Sequence, residues 1–108
     1  MVEILKFKAT IGAAAVEQDI DKLTCPEKET ITILEIFFFI TGVGEIKGYF
    51  KQRQIDDVDQ KAQPTALARV VKNLQMLAGD EYSFKGTDTS GAPNIMVVGL
   101  VIDRVSVA

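Results

Sequence analysis

Residues 31–40 read ITILEIFFFI. Isoleucine, phenylalanine and threonine favour extended chain, because branched and aromatic side chains pack well on a pleated surface. In a strand, successive side chains face opposite ways. Leu34, Ile36, Phe38 and Ile40 then form one wholly apolar face. Ile31, Ile33, Phe37 and Phe39 form the other, interrupted by Glu35. Each such side chain gains about 1.5–3 kcal/mol on leaving water. The run is too short for a membrane-spanning helix, which needs about 20 apolar residues. Any fold that contains this strand must therefore cover it on both sides.

The end of the sequence makes the same demand. Residues 95–107, IMVVGLVIDRVSV, carry Val, Ile and Leu on both faces until Asp103 and Arg104 return to water. Elsewhere one face is polar. Leu5, Phe7 and Ala9 alternate with Lys6 and Lys8, and Tyr82 and Phe84 with Ser83 and Lys85. In 45–55, Ile46, Gly48 and Phe50 take one side, and Lys47, Tyr49, Lys51 and Arg53 the other. Each reads as a strand with one wet face. Residues 13–24 fit either a helical turn built on Ala13–Ala15 or an irregular strand. CPEKE at 25–29 and TGVG at 41–44 are turns, and DDVDQKAQP at 56–64 reads as a polar loop ended by Pro64. In 65–77, Leu67, Val70, Val71, Leu74 and Leu77 follow the helical template, with Thr65 as N-cap and Gly79 beyond the end. Ala66, Ala68, Val70, Leu74 and Met76 also fit a strand interrupted by one lysine; the helix is narrowly favoured. The expected fold is all-β: a single-domain antiparallel β-sandwich over 1–108, with one short helix near 65–77.

The rhythm LQMLAGDEYSFKG, then a turn, then NIMVVGLVIDRVSV, covers residues 74–86 and 94–107. It resembles the closing strands of small jelly-roll β-sandwiches, as found in virus capsid and surface-coat proteins. The resemblance spans about a third of the chain and implies a structural, self-assembling protein. It brings with it no catalytic or binding residue.

The chemistry of the side chains agrees with a non-enzymatic role and no cofactor. The sequence has no histidine, which removes Ser/His and Cys/His pairs and His-containing zinc sites. Cys25, the one cysteine, has only Lys22 and Lys28 nearby to activate it. Asp56, Asp57 and Asp59 could ligate a hard cation, but Gln60 and Lys61 follow where a calcium loop needs glycine. A solvated loop is the simpler reading. GVGEIKG lacks the glycine register of a phosphate loop, and no small-molecule substrate is evident.

KGYFKQR at 47–53 interleaves basic and aromatic residues. Lys47, Gly48 and Tyr49 match the opening of the RNP1 pattern of RNA-recognition motifs; Phe50, Lys51, Gln52 and Gln54 depart from it. This strand, with Lys47, Tyr49, Lys51 and Arg53, is the alternative reading: a module for single-stranded nucleic acid or another anionic ligand. The net charge of −3 weighs against it.

The apolar strands carry the main expectation. One face of each can meet a second sheet. The other is left for residues 66–77 of the same chain or for a second copy, and the second copy is favoured because 95–102 makes the same demand. Ile33, Phe37, Phe39, Val97 and Val101 are the expected contacts of a homo-oligomer or shell. The N-terminus, Met1-Val2-Glu3-Ile4, shows no basic or apolar leader region, so no secretory signal is read; the compartment, cytoplasmic or virion-associated, stays open.

Overall fold

The computed structural model describes residues 1–13, 15–60 and 68–107. Eight strands follow in order: β1 (Val2–Ile11), β2 (Gln18–Thr24), β3 (Glu29–Ile40), β4 (Gly44–Phe50), β5 (Arg53–Gln60), β6 (Ala68–Met76), β7 (Glu81–Asp88) and β8 (Asn94–Ser106). They form two four-stranded sheets, β1-β8-β3-β6 and β2-β7-β4-β5. All pairings are antiparallel.

The pairings nest. β4 pairs with β5, β3 with β6, β2 with β7 and β1 with β8. The first half of the chain thus runs beside the second half as one long hairpin. That hairpin rolls up, so that β3 also meets β8 and β4 also meets β7. This is the eight-stranded jelly roll, the architecture that the strand rhythm near the C-terminal end resembled.

The tip of the long hairpin is the Lys51-Gln52 turn, closed by Phe50 opposite Arg53. Both central residues have positive φ, 52° and 66°. A two-residue turn of this hand matches strand twist and favours Asn-Gly. Lys-Gln carries no such signal, which is why 45–55 reads as one strand and 56–64 as a loop. The structure corrects both: the chain reverses at 51–52, and Arg53–Gln60 is a strand. A side chain at positive φ costs about 1–2 kcal/mol, so Gln52→Gly is expected to raise stability by about 1 kcal/mol after glycine's own entropy loss. Thermal unfolding checks this; a lowered midpoint contradicts it.

The expected helix near 65–77 is also corrected. Residues 65–67, including the Thr65 cap and Leu67, lie outside the described residues, as does Pro64. Ala68–Met76 is strand. Its pairing with β3 outweighs the helical spacing: Met76 is buried and Leu74 and Val70 pack against the core, at alternate positions. Among the described residues there is no helix, and so none long and apolar enough to cross a membrane.

β3 decides which apolar residues enter the core. In the register with both neighbours, Ile33 and Glu35 are matched and Leu34 is skipped. One extra residue reverses the alternation. Ile31 and Ile33 face inward before the bulge, and Ile36, Phe38 and Ile40 after it, all at 0–1 % exposure. They meet Met96, Val98, Leu100 and Ile102 of β8, and from the other sheet Ile46, Tyr82 and Phe84. Phe38 packs edge-on to Phe84, and Tyr82 stacks on Phe84 at 4.6 Å.

At the other end of the roll, Asp88 secures the β7–β8 turn. Its carboxylate accepts from the Ser90 hydroxyl (2.6 Å), from the backbone N–H of Ser90 and Gly91, and from the Asn94 amide. These bonds, the Ser90 hydroxyl first, hold its pKa below the ordinary aspartate value against the opposing effect of burial. A carboxyl depressed in the folded state stabilises above its unfolded pKa, and that contribution is lost as pH falls through the depressed value. Asp88→Asn is therefore expected to flatten the fall in stability below about pH 4. Urea unfolding at pH 7 and pH 3 checks this; an acid fall as steep as in the parent chain contradicts it.

Candidate self-association surface

The outward side of the β1-β8-β3-β6 sheet is the feature that most needs a function. Phe39 lies across from Val97, Phe37 from Gly99, and Glu35 from Val101. On β1, Ile4 flanks Val101, and Lys6 and Lys8 flank Gly99 and Val97. On β6, Arg69 flanks Phe37 and Val71 flanks Glu35. Phe37, Phe39, Val97 and Val101 are half-buried by their strand neighbours, while Ile4 and Val71 stand 68 % and 80 % exposed. The Phe37 ring lies beside Gly99, within ordinary contact distance of where a Cβ there would stand (3.5 Å). Among the described residues, no element packs over this face; the second sheet covers the opposite one.

Most polar groups lie toward the flanks. Glu35, the break in the apolar stretch, sits on central β3 but is ion-paired with Arg69 of edge strand β6. The Arg69 guanidinium lies over the Phe37 ring at 5.6 Å. Lys6 and Lys8 line the β1 edge, where lysines discourage uncontrolled edge pairing. The result is an apolar centre with a charged rim, the usual anatomy of a protein–protein contact.

Four of the five expected contacts, Phe37, Phe39, Val97 and Val101, thus come together on this one face. Ile33 does not. The Leu34 bulge turns it into the core at 0 % exposure, and it leaves the candidate surface. Strict alternation through the bulge is what misplaced it. Ile4 and Val71 were missed; each stood as an apolar residue outside a clear alternating run.

The alternative strand fares differently. Lys47 and Tyr49 do face outward on the β2-β7-β4-β5 sheet, but Lys51 is in the hairpin tip and Arg53 follows it. Carboxylates surround these cations. Lys47 is 3.4 Å from Glu45 and lies opposite Asp57; Lys51 is 3.4 Å from Asp80. The Tyr49 hydroxyl donates to Glu17 at 2.7 Å, and that bond, more than burial, pushes its pKa up to about 12. Burial and then Asp57 raise the Glu45 carboxyl above its ordinary value. A phosphate backbone would meet as many acids as bases here.

The three aspartates of 56–59 are divided by the pleat. Asp57 and Asp59 are exposed on the outer face, and Asp56 points into the sandwich. They do not converge on a cation, and among the described residues no group of three or more cysteines or carboxylates is arranged for one. Cys25 is buried, with its thiol against the Glu29 carbonyl at 3.3 Å. Burial, then Glu29, raises its pKa, which makes it a poor nucleophile.

Sequence reading gave no sign of the polar cluster inside the sandwich. Lys72 of β6 reaches inward to Asp56 of β5 at 2.7 Å, and Asp56 also accepts from the Tyr82 hydroxyl. Burial first, then that bond, pushes the Tyr82 phenol far above its ordinary pKa. Gly48 makes room: a Cβ there would lie 2.6 Å from Asp56 Oδ2 and 3.2 Å from the Phe84 ring. The available hint was a glycine between Ile46 and Phe50 on the apolar side of β4. Gly48→Ala is expected to cost about 1–3 kcal/mol through overpacking, read as a fall in the denaturation midpoint; an unchanged midpoint would show that the cluster moves aside freely.

The fold defines a class, the eight-stranded jelly-roll sandwich. No protein-family model matches the sequence, and no curated protein matches it. Among solved structures, the chain is similar to one from Bacillus endospore appendages, described as forming a novel family of disulfide-linked pili. The TM-score is 0.57 and the identity 11 %, over 100 % of this chain and 88 % of that one. It is also similar to one from the acid-stable capsid of Helicobacter pylori bacteriophage KHP30. There the TM-score is 0.51 and the identity 9 %, over 98 % of this chain and 99 % of that one. At these identities the likeness is one of fold.

Proposed function

We propose that this chain is a non-enzymatic structural subunit that self-associates into a homo-oligomer or shell. The outward face of the β1-β8-β3-β6 sheet is the contact, with Phe37, Phe39, Val97 and Val101 at its centre. The observation that carries the reading is the gathering of these four residues, from two distant segments, on one sheet face over which no described element packs. Burying them supplies a driving force of about 1.5–3 kcal/mol for each side chain fully removed from water. A second copy is the partner that fits, because the face is largely apolar and its Glu35 is already paired with Arg69 of the same chain. The structural neighbours with this fold come from a pilus and a capsid, which supports both that partner and a coat role. Cys25 is buried, so the contact rests on face packing rather than on a disulfide.

Light scattering behind size exclusion, with negative-stain imaging of the same fractions, tests the reading. A mass of several chains, or closed shells or filaments, is expected. A monomer at micromolar concentration would refute it.

A further inference from the structure

The Asp56–Lys72–Tyr82 cluster lies at the side of the sandwich where β5 and β6 are the outermost strands of their sheets among the described residues. Lys72 Nζ sits 2.7 Å from Asp56 Oδ1, with the two side chains 18 % and 6 % exposed. Asp56 Oδ2 accepts from the Tyr82 hydroxyl, and Tyr82 is 0 % exposed. Two local features aim these groups at one another. Lys72 falls within the shift between β6 and β3, where Leu74 is matched to Ile33 and Val71 to Glu35, so it has no opposite residue to pack against. Gly48, across from Asp56, leaves the carboxylate space above β4.

As two ions the pair is poorly placed. Each has surrendered most of its hydration, and desolvation opposes their attraction. A neutral amide carries no such penalty. We propose that Lys72 and Asp56 condense into an isopeptide bond that joins the two sheets covalently.

The atoms balance without an oxidant, a reductant or a cofactor. Nζ passes one proton to Oδ1, which gives an amine and a carboxylic acid. The Nζ lone pair attacks Cγ, and the electrons of the Cγ–Oδ2 double bond move onto Oδ2. The Tyr82 hydroxyl, already aimed at Oδ2, stabilises that oxyanion. Nζ then releases a second proton to the Oδ1 hydroxyl, the Cγ–Oδ1 bond breaks, and water leaves. One ammonium and one carboxylate become one amide and one water. In bulk water the separated ions are favoured by their hydration; inside the sandwich most of that hydration is already lost. Holding the nucleophile against its target removes the entropic barrier of a bimolecular reaction. The bond closes a ring through residues 56–72 and pins the open side of the roll. It is internal to the subunit and stands apart from the self-association reading.

Intact-mass spectrometry of the full chain, denatured and reduced, tests this. The expected mass is one water below that of the sequence, with a branched peptide joining Lys72 and Asp56 on digestion. Lys72→Arg and Asp56→Ala should each restore the full mass, and Tyr82→Phe should slow the water loss in a time course. Lys72→Arg keeps the charge and serves as the control if Asp56→Ala does not fold. A full sequence mass in the folded protein, both freshly purified and after prolonged incubation, overturns the proposal. So does a water loss that persists in Lys72→Arg, since it would come from elsewhere in the chain.

Discussion

Phe38→Ala is expected to lower stability by about 3–5 kcal/mol, whereas Phe39→Ala, one residue on, should cost the isolated subunit about 1 kcal/mol or less. The two side chains are chemically identical and adjacent in sequence, so strand propensity cannot separate them. Position on the sheet does. Phe38 is 1 % exposed and packs against Phe84 in the centre of the sandwich. Removing its ring leaves a cavity that two rigid sheets cannot close. Phe39 lies outward beside Val97, where truncation trims a partly wet surface. Denaturant unfolding at a concentration that keeps subunits apart gives both numbers. Equal losses would mean that the assigned inward and outward faces of β3 are wrong.

Deleting Phe37 should be far more damaging than deleting Leu34. Leu34 is the extra residue between Ile33 and Ile36, so its loss leaves a strand that alternates strictly, with Ile31, Ile33, Ile36, Phe38 and Ile40 all still inside. Loss of Phe37 has no such remedy. Either Phe38 and Ile40 turn outward, or the bulge closes, Ile36 turns outward and Glu35 enters the core. Exposing two fully buried side chains costs about 3–6 kcal/mol, comparable to the whole stability of a small domain. The expected result is a Phe37 deletion without a cooperative unfolding transition, while the Leu34 deletion still unfolds cooperatively. Equal stability of the two deletion variants would contradict the role of the bulge.

The sequence carried the class of fold because the two most apolar segments become β3 and β8, the central strands of one sheet. A central strand is pressed on one face by the opposing sheet, and Phe37, Phe39, Val97 and Val101 show what remains on the other. The inward and outward sides of β1 and β7 were equally legible, since Lys6, Lys8, Ser83 and Lys85 mark the wet side. What could not be read was set by pairing between distant residues. Leu34 bulges because of how β3 fits β8 and β6, and nothing in ITILEIFFFI marks it. Lys51 and Gln52 accept positive φ because β4 and β5 are held together on either side. Val70, Val71 and Leu74 have helical spacing, yet the unpaired edge of β3 recruits them as a strand. Asp56 read as part of a wet loop because its partners, Lys72 and Tyr82, are remote in sequence.

The central claim is that the outward face of the β1-β8-β3-β6 sheet joins one copy of this chain to another. The most direct test compares the solution mass of Phe39→Asp with that of Ser83→Asp by light scattering, at matched concentration. Both substitutions place a new charge on an outer sheet face, on opposite sides of the sandwich. The account predicts that Phe39→Asp falls to the mass of a single folded chain while Ser83→Asp keeps the parent assembly. An unaltered assembly in Phe39→Asp, or dissociation in Ser83→Asp alone, would contradict it.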